Sequence, residues 1–355
     1  MKNILKKLGV NSRKAFSQQE NTYKKNKVLK DYCNLIEKNK NLIIKENNKD
    51  INNAIKMNLR DNLIKRLILD KRKILDITSS IKKIIKLKDP TNNIIEKWKR
   101  PNGLKISKVS IPIGVIAVIY ESRPNVTSDV ASLCFKSGNA VILKGGSEAF
   151  YSNKILSDLF RRALKLNKIN QNYVQFINIK NRNVVDFLLT KMGNHVDVII
   201  PRGGKSLVKK VQSLSKIPII GHLEGICHSY VDRDADLKVA TKVILNAKLR
   251  NTAICGATET ILFHKNIIKK IGVSVLKNLE EKGCKIIGDN EIKKIYKGKI
   301  QKATIKDWSK EYLSSIVSVK SVKNLEEAIL HINKYGTMHT DCIITQNKNI
   351  AKKFL

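Results

Sequence analysis

The residues with the clearest chemical potential lie in the segment 251–260, where a thiol, Cys255, stands between small and polar neighbours. An apolar run beginning at Ile261 follows, which places the thiol in a loop that precedes a strand. Thiolates are strong nucleophiles toward acyl groups, and small neighbours let a substrate approach. The alternative is a structural cysteine, because free cysteine is among the most buried residue types. Taken alone, the pattern leaves both covalent acyl chemistry and a structural role open for Cys255, and the surrounding sequence must decide between them.

Two glycine pairs, Gly145-Gly146 and Gly203-Gly204, each follow an apolar run and precede a helical pattern. Backbone amides at a helix start bind phosphate, and glycine lets the ligand come close. Neither pair belongs to a G-x-G-x-x-G or Walker sequence, and a tight turn is the alternative for each. Two such loops at strand ends of one sheet favour a phosphate-containing ligand.

A third segment, residues 120–127, follows a β-branched run and carries Arg123 and Asn125. The side-chain amide of Asn125 can donate to a developing oxyanion, and Arg123 can pair with a carboxylate or phosphate. The alternative is a strand-ending turn in which Asn125 caps a helix.

The elements that must position these residues follow from periodicity. Residues 1–90 have the apolar spacing of amphipathic helices, and the Pro-Asn-Gly turn at 101–103 predicts a hairpin over about 95–110. From Gly114 onward, continuous apolar strands alternate with helices, which is typical of a parallel sheet covered on both faces. The pattern restarts after His228 and predicts a second α/β domain. Predicted strands are 115–120, 140–143, 174–179, 196–200, 217–220, 229–231, 259–263, 315–319 and 342–345; predicted helices are 128–135, 148–164, 184–189, 206–214, 237–247, 267–281 and 325–332.

Composition limits the class of protein. Of the 355 residues 42% are hydrophobic, which is typical of a globular protein, and the longest apolar run is too short for a membrane span. The basic N-terminus lacks the apolar core and cleavage site of a signal peptide. The six cysteines are scattered without C-x-x-C spacing, which predicts neither disulfides nor a metal site and favours a reducing cytoplasm.

The formal net charge of +39 raises a different possibility, a basic nucleic-acid-binding protein. The lysines are spread along the chain together with an excess of isoleucine and asparagine, and all three residues have A/T-rich codons. Aromatic residues, which stack on single strands, make up only 5%. We therefore expect the charge to be incidental, with no specific nucleic-acid partner and no membrane partner.

Four long segments, residues 113–127, 138–149, 197–204 and 225–232, closely resemble the γ-glutamyl phosphate reductases, a branch of the aldehyde dehydrogenase superfamily. The segment 335–341 is similar to the late motif of the same branch. The resemblance runs in order along essentially the whole chain. It implies an aldehyde-dehydrogenase-like α/β fold with an NADP-binding domain over 1–224, a catalytic thiol domain over 225–355 and a hairpin arm.

The resemblance also implies an activity. Cys255 matches the thiol that attacks the acyl phosphate of L-glutamyl 5-phosphate, after which NADPH reduces the thioester to glutamate 5-semialdehyde. This is the second step of proline biosynthesis from glutamate. Asn125 matches the oxyanion amide, with the backbone N–H of Cys255 as its partner. Further implications are a cytoplasmic location, a homo-oligomer formed through the hairpin arm and a functional link to glutamate 5-kinase.

The resemblance assigns the remaining site residues in two groups. Arg123 and Ser122 are assigned to the substrate, whereas the cofactor is assigned to Lys144, Gly145, Gly146, Ser147, Gly203 and Gly204. Ser147 stands where NAD-preferring relatives carry a carboxylate that binds the ribose 2′-hydroxyl, which favours NADPH. Lys205 adds positive charge to that region, and we expect Glu148, one position on, to point away along its helix.

Two positions test this assignment. Oxidative aldehyde dehydrogenases carry a glutamate base that hydrolyses the thioester, and the matching position here is His222, which favours reduction; Glu224 nearby keeps the alternative open. Cys227, beside His228, is the rival nucleophile, although its place at a strand start favours burial.

The chain stops at residues 351–355, inside a helical pattern just begun, whereas members of the family continue for several tens of residues. This predicts an interrupted chain. The alternative function is therefore a truncated, catalytically impaired homologue.

Overall fold

The computed structural model describes residues 1–59, 61–121, 123–181 and 183–355, which form two compact units, Met1–Gly221 and His222–Leu355. The predicted division at residue 224 lies close to this boundary, and the functions assigned to each side stay predictions. In the described part of the chain, no helix is both long and apolar enough to cross a bilayer.

The first unit begins with five helices, which confirms the helical character that the apolar spacing predicts for residues 1–90. Asn21 and Asp70 cap the second and fifth of them by accepting hydrogen bonds from backbone N–H groups three residues on. Their apolar faces, which include Leu29, Ile36 and Ile81, are buried in the core of this unit. The helices are α1 (Lys2–Phe16), α2 (Thr22–Lys38), α3 (Lys40–Lys56), α4 (Asp61–Leu67) and α5 (Lys71–Lys86).

The predicted hairpin is confirmed as an antiparallel pair, β1 (Ile94–Lys99) and β2 (Lys105–Val109). Gly103 adopts a φ of 87° in the connecting turn, a conformation that favours glycine. Every residue of β1 is exposed, including Trp98, which is 40% exposed.

The sheet of the first unit has the order β5-β4-β3-β6, and its neighbouring strands are parallel. Its strands are β3 (Val115–Tyr120), β4 (Ala140–Gly145), β5 (Val174–Phe176) and β6 (Val198–Arg202), and its helices are α6 (Asn125–Lys136), α7 (Phe150–Leu166), α8 (Asn183–Lys191) and α9 (Lys205–Leu214). All residues of β3 and β4 are buried, as the continuous apolar runs 115–120 and 140–143 predict; the structure extends β4 to Lys144 and Gly145. The predicted strand 217–220 is wrong. Only a bridge between Ile199 and Ile219 forms, because Pro218 has no N–H to extend a ladder.

The sheet of the second unit is also parallel and has the order β10-β9-β11-β8-β7-β12. Its strands are β7 (Cys227–Val231), β8 (Thr258–His264), β9 (Lys285–Gly288), β10 (Ile300–Lys302), β11 (Ile316–Val322) and β12 (Asp341–Ile344). Its helices are α10 (Leu237–Leu249), α11 (Val273–Glu281), α12 (Asn290–Ile295), α13 (Ile305–Trp308), α14 (Leu325–Tyr335) and α15 (Lys348–Phe354).

One predicted helix of this unit differs in the structure. The region predicted as helix over 267–281 begins with a 3₁₀ turn, Lys265–Ile267, and a π turn, Ile268–Gly272, before the α-helix starts at Val273. Gly272 weakens helical propensity at the junction, which is consistent with the irregular turn.

Candidate active site

Cys255 lies in the loop between α10 and β8 and is half-buried. A turn closes the loop, since the N–H of Ala257 donates to the carbonyl of Ile254 at 3.1 Å. Gly225 packs against the loop so closely that a Cβ there would stand 2.1 Å from the Cys255 carbonyl oxygen. Glycine at position 225 is therefore required for this loop conformation.

A buried ion pair joins the two elements that flank the cysteine loop. Nζ of Lys248, near the end of α10, lies 2.7 Å from a carboxylate oxygen of Glu259 in β8, and both side chains are 0% exposed. Burial raises the pKa of Glu259, while the adjacent Lys248 opposes that rise. The N–H of Leu313 donates to the other carboxylate oxygen at 3.2 Å, so the pair is also tied to the loop before β11.

The rival thiol, Cys227, is buried at the start of β7. Its Sγ donates to the carbonyl oxygen of Cys255 at 3.1 Å. Burial raises the pKa of Cys227 to about 12, so it remains a thiol near neutral pH. A protonated, buried thiol that supports the loop backbone is a poor nucleophile, which leaves Cys255 as the candidate.

Two histidines lie beside Cys255. A ring nitrogen of His222, a ring nitrogen of His339 and Sγ of Cys255 all lie within 4.8 Å of one another. The two rings meet edge to face with centroids 4.5 Å apart, and burial together with His339 lowers the pKa of His222. Parallel pairing of β12 with β7 places Asp341 opposite His228, and this register brings the nearby His339 to the site.

His339 belongs to the late motif at 335–341, but no local feature of the sequence marks it as a chemical group of the site. In the sequence, His339 is recognisable only as a histidine that lies just before the predicted strand 342–345. The pairing of β12 with β7, which the sequence does not specify, is what makes that position functional.

In the first unit, the predicted glycine loops meet at the carboxyl edge of the sheet. The N–H of Gly146 donates to the carbonyl of Tyr120 at 2.8 Å, and the N–H of Glu121 donates to the carbonyl of Arg202 at 3.1 Å. The ends of β4 and β6 therefore flank the end of β3, where parallel sheets bind ligands.

The glycines of these loops differ in their surroundings. A Cβ on Gly145 would stand 2.2 Å from Nδ2 of the buried Asn153, so this glycine is needed for packing inside the unit. The loop of Gly203 and Gly204 is exposed and leads into α9. The Gly204 N–H donates to the carboxylate of Glu121 at 2.9 Å, which shows that this helix start accommodates an anionic group.

Lys144 and its neighbours border the same edge. Lys144 is buried, and its Nζ donates to the carbonyl of Gly145 at 2.8 Å. Burial lowers the pKa of Lys144, and the negative charge of Glu148 partly opposes this shift. Ser147 is exposed at the start of a 3₁₀ turn. The expectation that Glu148 points away is wrong, because its carboxylate oxygen lies 2.1 Å from where a Cβ on Gly146 would stand. The short 3₁₀ turn, rather than a regular helix start, lets this side chain fold back.

Asn125 is the first residue of α6 and Pro124 is its N-cap, so Asn125 does not cap the helix. Nδ2 of Asn125 donates to the carboxylate of Asp129 at 3.1 Å, and an amide nitrogen carries a second hydrogen for another acceptor. Asn125 and Arg123 line a cavity of about 310 Å³ that also contains Arg66 and Lys73. Ser122, the other predicted substrate contact, lies outside the described residues.

The structure thus gathers the predicted residues in two sets. One sheet edge of the first unit contains Lys144, the two glycine pairs and Ser147, and the same unit contains Asn125 and Arg123. The second unit contains Cys255 with His222 and His339. The edge of the first unit fits a nicotinamide dinucleotide, since it offers a buried cation, an exposed glycine loop at a helix start and an amide that already binds an anion.

Comparison with known proteins gives one consistent result. The model of the aldehyde dehydrogenase family matches residues 10–294. The chain is 41% identical to the γ-glutamyl phosphate reductase of Thermodesulfovibrio yellowstonii, an alignment that covers 96% of this chain and 81% of that protein. It is 42% identical to that of Nautilia profundicola, covering 100% and 85%. The crystal structure of the Thermotoga maritima γ-glutamyl phosphate reductase superposes with a TM-score of 0.92 at 36% identity, covering 99% of this chain and 84% of that one.

Proposed function

Because the chain belongs to the aldehyde dehydrogenase family and, within it, to the γ-glutamyl phosphate reductases, we propose that it reduces L-glutamyl 5-phosphate to L-glutamate 5-semialdehyde and phosphate, with Cys255 as the nucleophile. It is an oxidoreductase of proline biosynthesis. The observation that carries the assignment of the nucleophile is the contrast between the two thiols. Cys255 is half-buried in a loop, whereas Cys227 is buried and holds its proton.

The chemistry divides into acylation and reduction. The thiolate of Cys255 attacks the acyl carbon, the bond from that carbon to the phosphate oxygen breaks, and inorganic phosphate leaves a thioester on the enzyme. NADPH, when bound, supplies the hydride that reduces the thioester. The carbon–sulfur bond then breaks, which releases the aldehyde and restores the thiolate.

The oxyanion that forms at the acyl carbonyl needs hydrogen-bond donors. The side-chain amide of Asn125 and the backbone N–H of Cys255 take this role in our proposal. Asp129 supports the role of Asn125, because it accepts one amide hydrogen and fixes the plane of the amide. Arg123 and Ser122 are proposed to bind the substrate, Arg123 from the wall of the cavity that holds Asn125.

NADPH is proposed to bind along the sheet edge of the first unit. Lys144 would hold the adenosine ribose, Gly145 and Gly146 would belong to the same part of the cofactor site, and Gly203 and Gly204 would provide the loop for the pyrophosphate. Ser147 is exposed and can donate to a 2′-phosphate. Glu121 occupies the Gly204 amide in this structure, so its carboxylate must give way to the pyrophosphate.

Three further features of the protein are proposed. The exposed apolar residues of the β1–β2 hairpin, among them Ile95 at 62% exposure, support its role as an oligomerisation arm. All six cysteines are free thiols, which supports a cytoplasmic location. A functional link to glutamate 5-kinase follows from the chemistry, because a kinase must supply the acyl phosphate.

The experiment that tests the function follows the reverse reaction, in which the semialdehyde, inorganic phosphate and NADP⁺ yield NADPH. Turnover should require phosphate, because phosphate cleaves the thioester. Cys255→Ala should reduce turnover by more than about 10³-fold, and the matched variant Cys227→Ala should keep most of it. Phosphate-independent turnover, or appreciable turnover by Cys255→Ala, would contradict the proposal.

A further inference from the structure

Three side chains that the sequence keeps far apart form one cluster in the second unit, His222, Cys255 and His339, which we call the His–Cys–His triad. They come from the segment before β7, the loop before β8 and the segment before β12. The cysteine spacing predicts no metal site, because the signal for one is paired ligands close in sequence. The fold assembles the ligands instead.

The donor set matches a thiophilic divalent cation. Imidazole nitrogen and thiolate sulfur are the ligands that Zn²⁺ prefers, and three of them with an open fourth position form a known type of zinc site. Ligand atoms in a tetrahedral zinc site lie about 3.5 Å apart. The triad atoms already lie within 4.8 Å of one another, so each pair must approach by at most about 1.3 Å to reach this spacing.

Two contacts support the orientation of the ligands. The His339 ring nitrogen Nδ1 lies 2.9 Å from the hydroxyl of Thr340 and 3.6 Å from Sγ of Cys227, so Nε2 of that ring is the nitrogen left to bind a metal ion. The edge-to-face contact between His222 and His339 orients the two rings against each other. Hydrogen bonds to the second nitrogen of a histidine commonly set its orientation in metal sites.

Access also fits a metal site. His222 is exposed, and Cys255 and His339 are half-buried, so a hydrated cation can reach the triad from solvent. Carboxylate-only clusters on protein surfaces attract hard cations, whereas a thiol with two imidazoles selects borderline and soft ones.

We propose that the His–Cys–His triad binds one Zn²⁺ per chain and that the bound cation reversibly inhibits the enzyme. Binding replaces the Cys255 thiol proton with the metal, and the proton leaves to solvent without any change of oxidation state. The thiolate that is bound to zinc is then unavailable to the acyl carbon. The binding part stands on the geometry alone, whereas the inhibitory part rests on the proposed function of Cys255.

Metal binding is tested without any activity assay. Co²⁺ is titrated into the purified chain, and tetrahedral thiolate ligation should produce visible d–d bands and a sulfur-to-cobalt charge-transfer band. Zn²⁺ should remove both signals at one equivalent, and competition with a chromophoric chelator gives its affinity. His222→Asn, His339→Asn and Cys255→Ser should each weaken Zn²⁺ binding by at least about tenfold.

Two matched controls locate the site. His195→Asn removes a half-buried histidine of the first unit, and Cys227→Ser removes the thiol adjacent to the triad; both should retain the signals. Circular dichroism of each variant confirms folding, and three separate ligand variants keep the test decisive if one of them misfolds. Unchanged zinc affinity in the folded triad variants would overturn the inference, as would loss of binding in Cys227→Ser but not in Cys255→Ser.

Inhibition by bound Zn²⁺ is tested separately, by measuring turnover in the reverse reaction. Zn²⁺ should abolish reverse-reaction turnover, and a chelator should restore it. If the protein binds one Zn²⁺ but shows no turnover even without metal, the metal site is confirmed and the proposed function is wrong. If the metal-free protein catalyses the reverse reaction but binds no Zn²⁺, the proposed metal site is wrong and the proposed function is unaffected.

Discussion

Neighbouring thiols in this protein have different chemistry because their surroundings differ. Cys227 donates a hydrogen bond to the Cys255 carbonyl and is buried, so it stabilises the loop. The Cys255 side chain itself is half-buried and lies beside two imidazoles. The absence of a side chain at Gly225 makes this arrangement possible, since a Cβ there would overlap the Cys255 carbonyl.

At the residue scale, position 222 should determine the fate of the thioester. His222→Glu restores the carboxylate that oxidative relatives use as a base, and we expect thioester hydrolysis to rise by up to about 10²-fold, since a positioned base contributes 10²–10⁴-fold. Hydrolysis is measured as semialdehyde oxidation in the absence of phosphate. The control is His222→Gln, because glutamine has the same length as glutamate but cannot act as a base. A wild-type enzyme that hydrolyses as fast as it reduces would show that Glu224 or another base acts instead.

Glu148 should set cofactor preference. Its carboxylate folds back over Gly146 and interacts with Lys144, close to where the 2′-phosphate of NADPH is proposed to bind. Glu148→Gln removes like-charge repulsion, so NADPH should bind about tenfold more tightly while NADH binding stays equal or weakens. Nucleotide fluorescence on titration measures both affinities. The control Glu46→Gln changes a charge on α3; a similar gain in that variant would mean that net charge alone explains the effect.

At the scale of elements, the sequence predicts most of the architecture and leaves the pairing of strands open. Apolar residues at helical spacing predict that residues 1–90 are helical, although not their division into five helices, and continuous apolar runs predict β3 and β4. Short elements such as β10, with three residues, and α13, with four, carry too few residues for a period to emerge.

The residues of the candidate site divide in the same way, into those that the local sequence predicts and those that depend on the pairing of strands. Cys255 and the glycine loops have local signatures, so the sequence predicts them. The roles of His339, Glu121 and Lys248 depend on which strands are neighbours. Strand order in a parallel sheet is decided by long-range packing and leaves no trace in a window of ten residues.

The buried pair Lys248–Glu259 should contribute strongly to the stability of the second unit. Lys248→Met leaves an uncompensated buried carboxylate and should lower the free energy of unfolding by about 3–5 kcal/mol. The double variant Lys248→Met/Glu259→Gln should recover much of this loss, because the amide introduced at position 259 stays neutral and still accepts from the N–H of Leu313. Urea denaturation measures all three proteins. An equal loss in the exposed control Lys242→Met would show that the buried pair contributes nothing specific.

At the scale of the whole molecule, the net charge of +39 should cause only non-specific binding to polyanions. Affinity for DNA or RNA should be weak and independent of sequence, and it should fall with salt at a slope of about −0.9 per neutralised phosphate on duplex DNA. Salt titrations against several unrelated duplexes and single strands measure this. Sub-micromolar affinity for one sequence that survives physiological salt would restore a nucleic-acid function.

The pairing of β12 with β7 has a consequence for synthesis on the ribosome. Their partners His228 and Asp341 are 113 residues apart, whereas Lys248 and Glu259 are 11 apart. Because domains generally fold as units during synthesis, we expect the first unit, which ends at Gly221, to fold before the second, whereas β7 must wait for β12. At roughly 5–20 residues per second, that wait lasts on the order of ten seconds. During it, we expect the open edge of β7 and its thiol Cys227 to be exposed to oxidants and to other nascent chains, so chaperones and a reducing environment should matter most at this stage of the protein's life.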